Sequence, residues 1–431
     1  MTPPGGDLAA GDCRPARSQL ITSTDANGNA TSYGDYDPTG YPKTITDPYS
    51  NVTTTTYDVR GNVLTVTDAL GKKTTQTYDI FKRPLENKAP KDQDTGKFIV
   101  TPAPIYDAND NITTVTAPNG AISTATYDDA DQLLSSILPV DKAGDPERKA
   151  SFTWDLAGNL KTQTEPKGNL TPADLNDYVT TYLYDAIYQL TDVVNAKQDK
   201  ITYSYDNVSN TTKVIDPRKN ATVDANDYTA IYGYDLNHRV KTVKDAAGYQ
   251  TSTDYDLDGL VVGQTDQENN KSITVYDKRG AVVETRVPHA ETDGVIKYVT
   301  TKFVYDQVGN QTKVITPRGV ERGGDLVDFV QETKYDKLNR PSEKVFPYDR
   351  SDPVYNTPDS VLYTYDPVSR LQEISSPPSH GQSIRNVSSM TYWDNGWSKT
   401  TTDAWKIKTS YDYNELSEQT NRTVTSAGNS S

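Results

Sequence analysis

The sequence predicts an all-β protein: a tandem array of β-hairpins joined into one long, coiled antiparallel sheet that forms a partial hollow shell. Three observations predict it. An aromatic-Asp pair recurs along nearly the whole chain. Between the pairs, polar Gly-bearing tetrads alternate with short Thr/Val-rich runs, the pattern of consecutive hairpins. Extra residues enter the repeat at one place only. Internal repetition of this kind decides the fold before any single residue does.

The unit is clearest from Tyr57 to Asp79. It reads Tyr57-Asp58-Val59-Arg60-Gly61-Asn62, a strand-like run Val63 to Thr67, the tetrad Asp68-Ala69-Leu70-Gly71, a second run Lys72 to Thr77, and the next pair, Tyr78-Asp79. The same anchor stands at Tyr36-Asp37, Tyr106-Asp107, Tyr127-Asp128, Tyr184-Asp185, Tyr205-Asp206, Tyr234-Asp235, Tyr255-Asp256 and Tyr276-Asp277. It continues at Tyr305-Asp306, Tyr335-Asp336, Tyr365-Asp366 and Tyr411-Asp412, with Trp154-Asp155 and Trp393-Asp394 filling two gaps. Of the fifteen intervals between these sixteen anchors, six are equal and short, like that from Tyr57 to Tyr78. Eight are longer, and the last, from Trp393 to Tyr411, is shorter than all the others. Every long interval carries a proline at the same distance after its anchor aromatic: Pro90, Pro139, Pro166, Pro217, Pro288, Pro317, Pro347 and Pro377. That position falls within the second tetrad, where proline pre-sets a turn. The long units are therefore insertions into one hairpin loop, and such growth leaves the flanking pairing intact.

Within a unit, Tyr182, Tyr203, Tyr232, Phe303 and Tyr363 stand two residues ahead of an anchor and share its strand face. Stacked over successive hairpins they would form aromatic columns. After the anchor, apolar residues favour offsets six and nine, as in Val63 and Val66 or Val240 and Val243. A spacing of three breaks alternation, so either a bulge separates the two or the first belongs to the turn. Sixteen hairpins give about 32 strands at roughly 4.8 Å each, a sheet about 150 Å long if flat. Open twisted sheets of more than about ten strands curl or split, so this one coils. A parallel β-helix, with one coil per short repeat, is the rival architecture; paired turn tetrads and insertions confined to one of them favour hairpins.

Composition agrees. Only 34% of the 431 residues are hydrophobic and mean hydropathy is −0.74, yet there are 30 tyrosines. Aromatic and β-branched residues fit a half-exposed pleated surface, so the chain reads as ordered with a thin apolar layer. Net charge is −15, which argues against nucleic acid and against anionic membranes. Cys13, the single cysteine, excludes disulfides within one chain. Met1 to Leu20 contain no apolar run of a secretory signal, so a signal lay upstream or export takes another route. No stretch is apolar enough to span a bilayer as a helix. We expect a poorly ordered leader over residues 1–30, the repeat array over 31–420 and a polar tail over 421–431.

With these residues in view, the chain resembles the Rhs/YD-repeat family. Tyr57 to Asn62, Trp154-Asp155-Leu156-Ala157-Gly158-Asn159 and Tyr305-Asp306-Gln307-Val308-Gly309-Asn310 are similar to its repeat: Tyr-Asp, a Gly-Asn or Gly-Arg turn, then a strand. The resemblance covers roughly residues 30 to 420. It implies a spiralling sheet closed into a hollow shell, as in bacterial Rhs and wall-associated proteins, the cocoon of insecticidal toxin complexes and the teneurins. In such proteins the shell encloses a C-terminal polypeptide or serves as an adhesive ectodomain. Bacterial members usually carry a core segment after the repeats, in many of them with a self-cleaving protease site, and then a variable effector. Neither is found after Tyr411, so no catalytic residue carries over.

Candidate chemistry is sparse. Sixteen anchor aspartates on a lattice read as acceptors for turn N–H groups, because catalysis does not need one group repeated along a chain. Asp254-Tyr255-Asp256-Leu257-Asp258-Gly259 imitates half a calcium loop, but position twelve is Thr265 rather than a bidentate Glu. His238, His289 and His380 lie far apart, and no Gly-rich phosphate motif precedes a helix. No catalytic residue, metal or cofactor is assigned. Two insertions, Thr171 to Tyr178 and Thr222 to Tyr228, resemble each other. They read either as ligand loops offering Tyr178 and Tyr228 to a carbohydrate or as hairpin tips whose aromatic packs back on the next strand. The function expected is a non-enzymatic shell segment of a secreted or surface protein, enclosing an effector or partner polypeptide. The alternative is an extracellular adhesin that binds glycans or proteins.

Overall fold

The computed structural model describes residues 19–171, 177–218, 227–292, 295–323, 327–348, 357–378 and 383–426. They form an up-and-down succession of antiparallel strands in two sheets. The first has eight, from β1 (Thr22–Thr24) to β8 (Lys97–Thr101); the second has 26, from β9 (Ile105–Tyr106) to β34 (Gln419–Thr425). The second sheet is open: β9 pairs only with β10 (Ile112–Thr116), and β34 only with β33 (Lys408–Tyr413). The ladder breaks between β8 and β9 at Pro102-Ala103-Pro104. Two prolines without N–H groups cannot continue it. Pairing extends past residues 31–420 at both ends, beginning at Thr22 and running to Thr425.

Both rims of the ribbon use one turn, and the sequence explains it. At Asp58 the backbone N–H donates to Asn62 C=O (2.9 Å) and Gly61 N–H donates back to Asp58 C=O (3.0 Å). Gly61 has φ +82°. This is a three-residue hairpin loop, a type I turn closed by a left-handed residue. Asp68, Asp206, Asp266 and Asp336 close the same way, with Gly71, Ser209, Asn269 and Asn339 in the left-handed position. All long insertions leave from the rim opposite the anchors, as in the hairpin of β24 (Val282–Thr292) and β25 (Val295–Tyr305).

The spacing of three resolves as a bulge. Tyr57 pairs with Val63 and Thr56 with Thr65, which leaves Leu64 as the extra residue. The same shift recurs before Tyr184, Tyr205, Tyr234, Tyr255 and Tyr276. Here the anchor ring finds its partner. Tyr205 Oη donates to Leu190 C=O (2.7 Å), Tyr255 Oη to Val240 C=O (2.9 Å) and Tyr365 Oη to Pro341 C=O (2.8 Å). Trp154 Nε1 does the same toward Leu133 C=O (2.9 Å). Most anchors in this way tie their hairpin to the one before; Tyr78 instead donates to Gln76 Oε1 of its own strand (2.7 Å). Aromatic columns are not how this happens: anchors recur on every second strand, roughly 9.6 Å apart, too far for ring contact.

Two anchors move. The bulge near Trp393 lies before Tyr392, whose hydroxyl donates to Leu371 C=O (2.6 Å), and Trp393 takes the turn position of Asp. At the last hairpin the bulge precedes Tyr413 and the turn starts at Asn414. Trp393-Asp394 and Tyr411-Asp412 are thus replaced by Tyr392-Trp393 and Tyr413-Asn414. The reason is the left-handed position: Gly396 and Ser417 fill it in the observed register, whereas Asp394 or Asp412 at the turn would put Trp397 or Glu415 there. Measured from Tyr392 to Tyr413, the irregular last interval becomes equal to the short repeat.

The sheet is one layer with no central core. Ile315 is the only hydrophobic side chain below a tenth exposed among the described residues. The chain exposes 28069 Å², against roughly 16,000 Å² for a compact globule of its mass. The ribbon nevertheless returns on itself. Asn27 Nδ2 donates to Asp306 Oδ2 (2.9 Å) and Asn339 Nδ2 to Asp25 Oδ2 (3.2 Å). Further along, Asp394 accepts from Gln93 N–H (2.6 Å) and pairs with Lys72 (3.3 Å), while Lys91 reaches Tyr413 C=O. The insertion-side turns of the first sheet lie on the anchor-side turns of the later units. The contacting turns are about 25 strands apart, so one coil is about 120 Å around at ~4.8 Å per strand, or about 40 Å across.

Candidate functional site

The anchor-side turns form a continuous polar lattice. In every anchor-side turn that starts with Asp, its carboxylate accepts two backbone N–H groups of the turn; for Asp58 these are Arg60 (2.8 Å) and Asn62 (2.9 Å). Where the residue four places on is Asn or Arg, it clamps the other oxygen: Asn62 Nδ2 on Asp58 (2.8 Å), Arg239 Nε on Asp235 (2.7 Å), Arg370 Nε on Asp366 (2.6 Å). Where it is Arg, it also spans to the next unit. Arg239 lies over the Tyr255 ring (4.3 Å), Arg340 over Tyr365 (4.3 Å) and Arg370 over Tyr392 (4.9 Å). Arg83 pairs with Asp79 (2.6 Å) and Asp110 (2.6 Å). Gly61-Asn62 is a Gly-Asn turn, whereas the arginines follow Lys82, His238, Asn339 and Ser369; their reach to a neighbour was the part sequence spacing did not expose. The carboxylates are spent on this lattice: the Asn62 amide holds Asp58 below the usual carboxylate range, and the Arg239 side chain does so for Asp235.

The other candidates are dispersed. Asp254 pairs with Lys271 (2.8 Å), while Asp256 accepts the N–H groups of Asp258 (3.0 Å) and Leu260 (2.9 Å), as any turn Asp does. The acidic run therefore does not converge on a cation. Adding EDTA should leave the melting temperature unchanged; a drop restored by calcium would reverse this assignment. His238 fills a left-handed turn position beside Asn210 Nδ2 (3.1 Å). His289 lies at a register shift in β24, and His380 lies outside the described residues.

The insertion loops close alike. Glu165 N–H donates to Tyr178 C=O (3.1 Å), Asp216 N–H to Tyr228 C=O (2.9 Å) and Thr316 N–H to Phe329 C=O (3.0 Å). Short helices Pro166–Asn169 and Pro317–Glu321 start two of them, each with proline where a helix wants no N–H. Gly168 is required there, since a Cβ would stand 2.3 Å from Asp177 C=O. Each closing ring faces a cation of its own loop: Lys167 over Tyr178 (5.8 Å), Arg218 over Tyr228 (4.7 Å), Arg322 over Phe329 (5.2 Å). Tyr178 borders a cleft of about 540 Å³ with Asp177, Asn195 and Lys197, and Tyr228 one of about 410 Å³ with Tyr203 and Tyr232. The remaining Thr222–Asn226 part of the second loop lies outside the described residues. No helix among the described residues is long and apolar enough to cross a membrane.

A single-layer ribbon of like hairpins, tied turn to turn, defines a tandem β-hairpin repeat protein. The family model described as RHS Repeat matches residues 16–52, 57–88 and 106–140, so that part of the chain carries RHS repeats. No curated protein matches the sequence. Among solved structures it is similar to the Photorhabdus luminescens Tc holotoxin pore carrying the TccC3-D651A mutation, at 15% identity and TM-score 0.46, over 94% of this chain and 24% of that one. It is similar also to TcdB2-TccC3 without its hypervariable C-terminal region, at 15% identity and TM-score 0.48, over 94% and 25%. A porin-like protein of Bacteroides uniformis aligns at 11% identity and TM-score 0.13, over 53% and 88%. The chain spans about a quarter of the length of the first two.

Proposed function

We propose that this chain is a non-catalytic wall segment of a hollow shell, in a secreted or surface Rhs-type protein, that encloses another polypeptide. One observation carries the reading: the ribbon meets itself after a full coil, through Asn27–Asp306 and Asn339–Asp25. A flat sheet would leave those turns far apart. Taking off about 5 Å of wall on each side leaves a lumen of about 30 Å. That accommodates an unfolded or partly folded chain and is tight for a 100-residue domain, whose radius of gyration is about 13 Å. The effector or partner inferred from the family resemblance is cargo of this kind. The adhesin reading finds less support, because the ring faces of Tyr178 and Tyr228 already carry cations of their own loops.

The test is protection. A short unstructured, protease-sensitive polypeptide fused after Ser431 should be cleaved at least tenfold more slowly than the same polypeptide fused to an unrelated soluble protein. Equal cleavage rates would remove the enclosing role.

A further inference from the structure

The anchor-side rim is covered along only part of its length, and its apolar turn residues record the difference. At the second residue after the turn Asp, Val308 is 38% exposed, and Leu338 and Val368 are half-buried, where the first sheet lies on the rim. In the earlier units, where no seam contact is present among the described residues, the same position holds Phe81 (67%), Ile187 (69%) and Val208 (60%). One residue earlier in the turn, Leu156, Leu236 and Leu257 are fully exposed. A row of bare apolar tips along one rim is more than the scattered apolar exposure of an ordinary surface.

The opposite rim carries an aromatic tip at the matching turn position. At the internal seam the insertion-side turn at Asp47 presents Tyr49, the second residue after its Asp, beneath Lys337 (5.6 Å) and Arg340 (5.8 Å). The turn at Asp403 has the same closure, with Asp403 N–H donating to Ile407 C=O (3.1 Å), and places Trp405 where Tyr49 stands. Trp405 is 80% exposed. Thus one end of the coil offers a free anchor-side rim and the other a free insertion-side rim.

We propose that a second copy of this chain docks head to tail, its Trp405-bearing rim on the leucine rim of the first, so that insertion-side turns meet anchor-side turns between molecules as they do at the ribbon's own seam. Such an interface is heterologous and continues the coil rather than closing a symmetric pair. The proposal is independent of any cargo.

Sedimentation velocity of the purified chain in 0.15 M salt tests it. The mean mass should rise with concentration. A variant carrying L156S, L236S and L257S should associate at least tenfold more weakly, and so should W405S. Mixed in equal amounts, these two should form a 1:1 dimer and nothing larger, because one keeps the tryptophan rim and the other the leucine rim. Circular dichroism matching the parent checks that both fold. A parent that stays monomeric at all concentrations overturns the proposal. So does W405S that associates like the parent, which would mean two leucine rims facing each other, and so does a mixture of folded variants that stays monomeric.

Discussion

Replacing Tyr205 by Ala should destabilise its part of the array by about 2 to 4 kcal/mol, toward the lower end for aromatic-to-Ala changes because the ring is half-buried. Tyr205→Phe should cost about 1 kcal/mol, the worth of one hydrogen bond, since it removes only the donor to Leu190 C=O. Stability in a repeat array rests on nearest-neighbour interfaces. Hydrogen exchange should therefore rise across β16 (Leu190–Val194), β17 (Lys200–Tyr205) and β18 (Thr211–Ile215), and stay unchanged at β33. Equal losses for Ala and Phe would assign the whole effect to the hydroxyl. Loss of protection along the entire chain would mean that the coil, not the hairpin, is the cooperative unit.

That locality is also why the fold was legible. Hairpins, turn chemistry and the site of the insertions are all set within a single repeat unit, and a recurring Tyr-Asp with a left-handed residue three places after the Asp reports them directly. The two misplaced anchors show the limit of reading a pair of residue types. Tyr392-Trp393-Asp394 and Tyr411-Asp412-Tyr413 each offer two aromatics, and the Asp drew the choice to the wrong one. Requiring Gly396 in the left-handed position, or distrusting the one interval shorter than the repeat, would have corrected the first at once. The ladder break at Pro102 and Pro104 corrects the expected single continuous sheet, although its cause, two prolines without N–H groups, is local.

The coil seam was not legible. Asn27 and Asp306 are each ordinary turn residues, and nothing nearby in sequence marks them as partners 279 residues apart. Their meeting depends on the accumulated curvature of about 25 strands, a property of no single unit. Asp394 illustrates the same point. Once the register moves by one, it leaves the turn-closing position and becomes free to take Gln93 N–H and Lys72 from the first sheet. The Tyr178 and Tyr228 loops were recognisable as a pair, but their cations, Lys167 and Arg218, precede the loop tips and gave no periodic signal.

Stability should fall at both ends of the pH scale, and the two falls should have different origins. On the acid side, side-chain amides hold Asp58, Asp155 and Asp206 below their ordinary pKa, the Arg239 side chain does so for Asp235, and the Ala281 N–H for Asp277. A carboxylate whose folded pKa is depressed stabilises the fold above its unfolded value, near 3.9, and loses that contribution as pH drops through the folded one. On the alkaline side, burial raises the phenol pKa of Tyr184, Tyr205, Tyr234, Tyr335, Tyr365 and Tyr392. A group raised in the folded state contributes fully below its unfolded value, near 10, and ceases to do so as pH rises through the folded one. The melting temperature should therefore be flat from roughly pH 5 to 9 and fall below about 4 and above about 10. Because the anchor hydroxyls donate to the preceding hairpin, the alkaline transition should coincide with the ultraviolet absorbance change of tyrosinate formation. Replacing Tyr205, Tyr234 and Tyr335 together by Phe should lower stability at neutral pH while shrinking its further loss above about pH 10. If the parent instead ionised its tyrosines near pH 10 with the fold intact, the anchor hydroxyls would not be holding hairpin to hairpin.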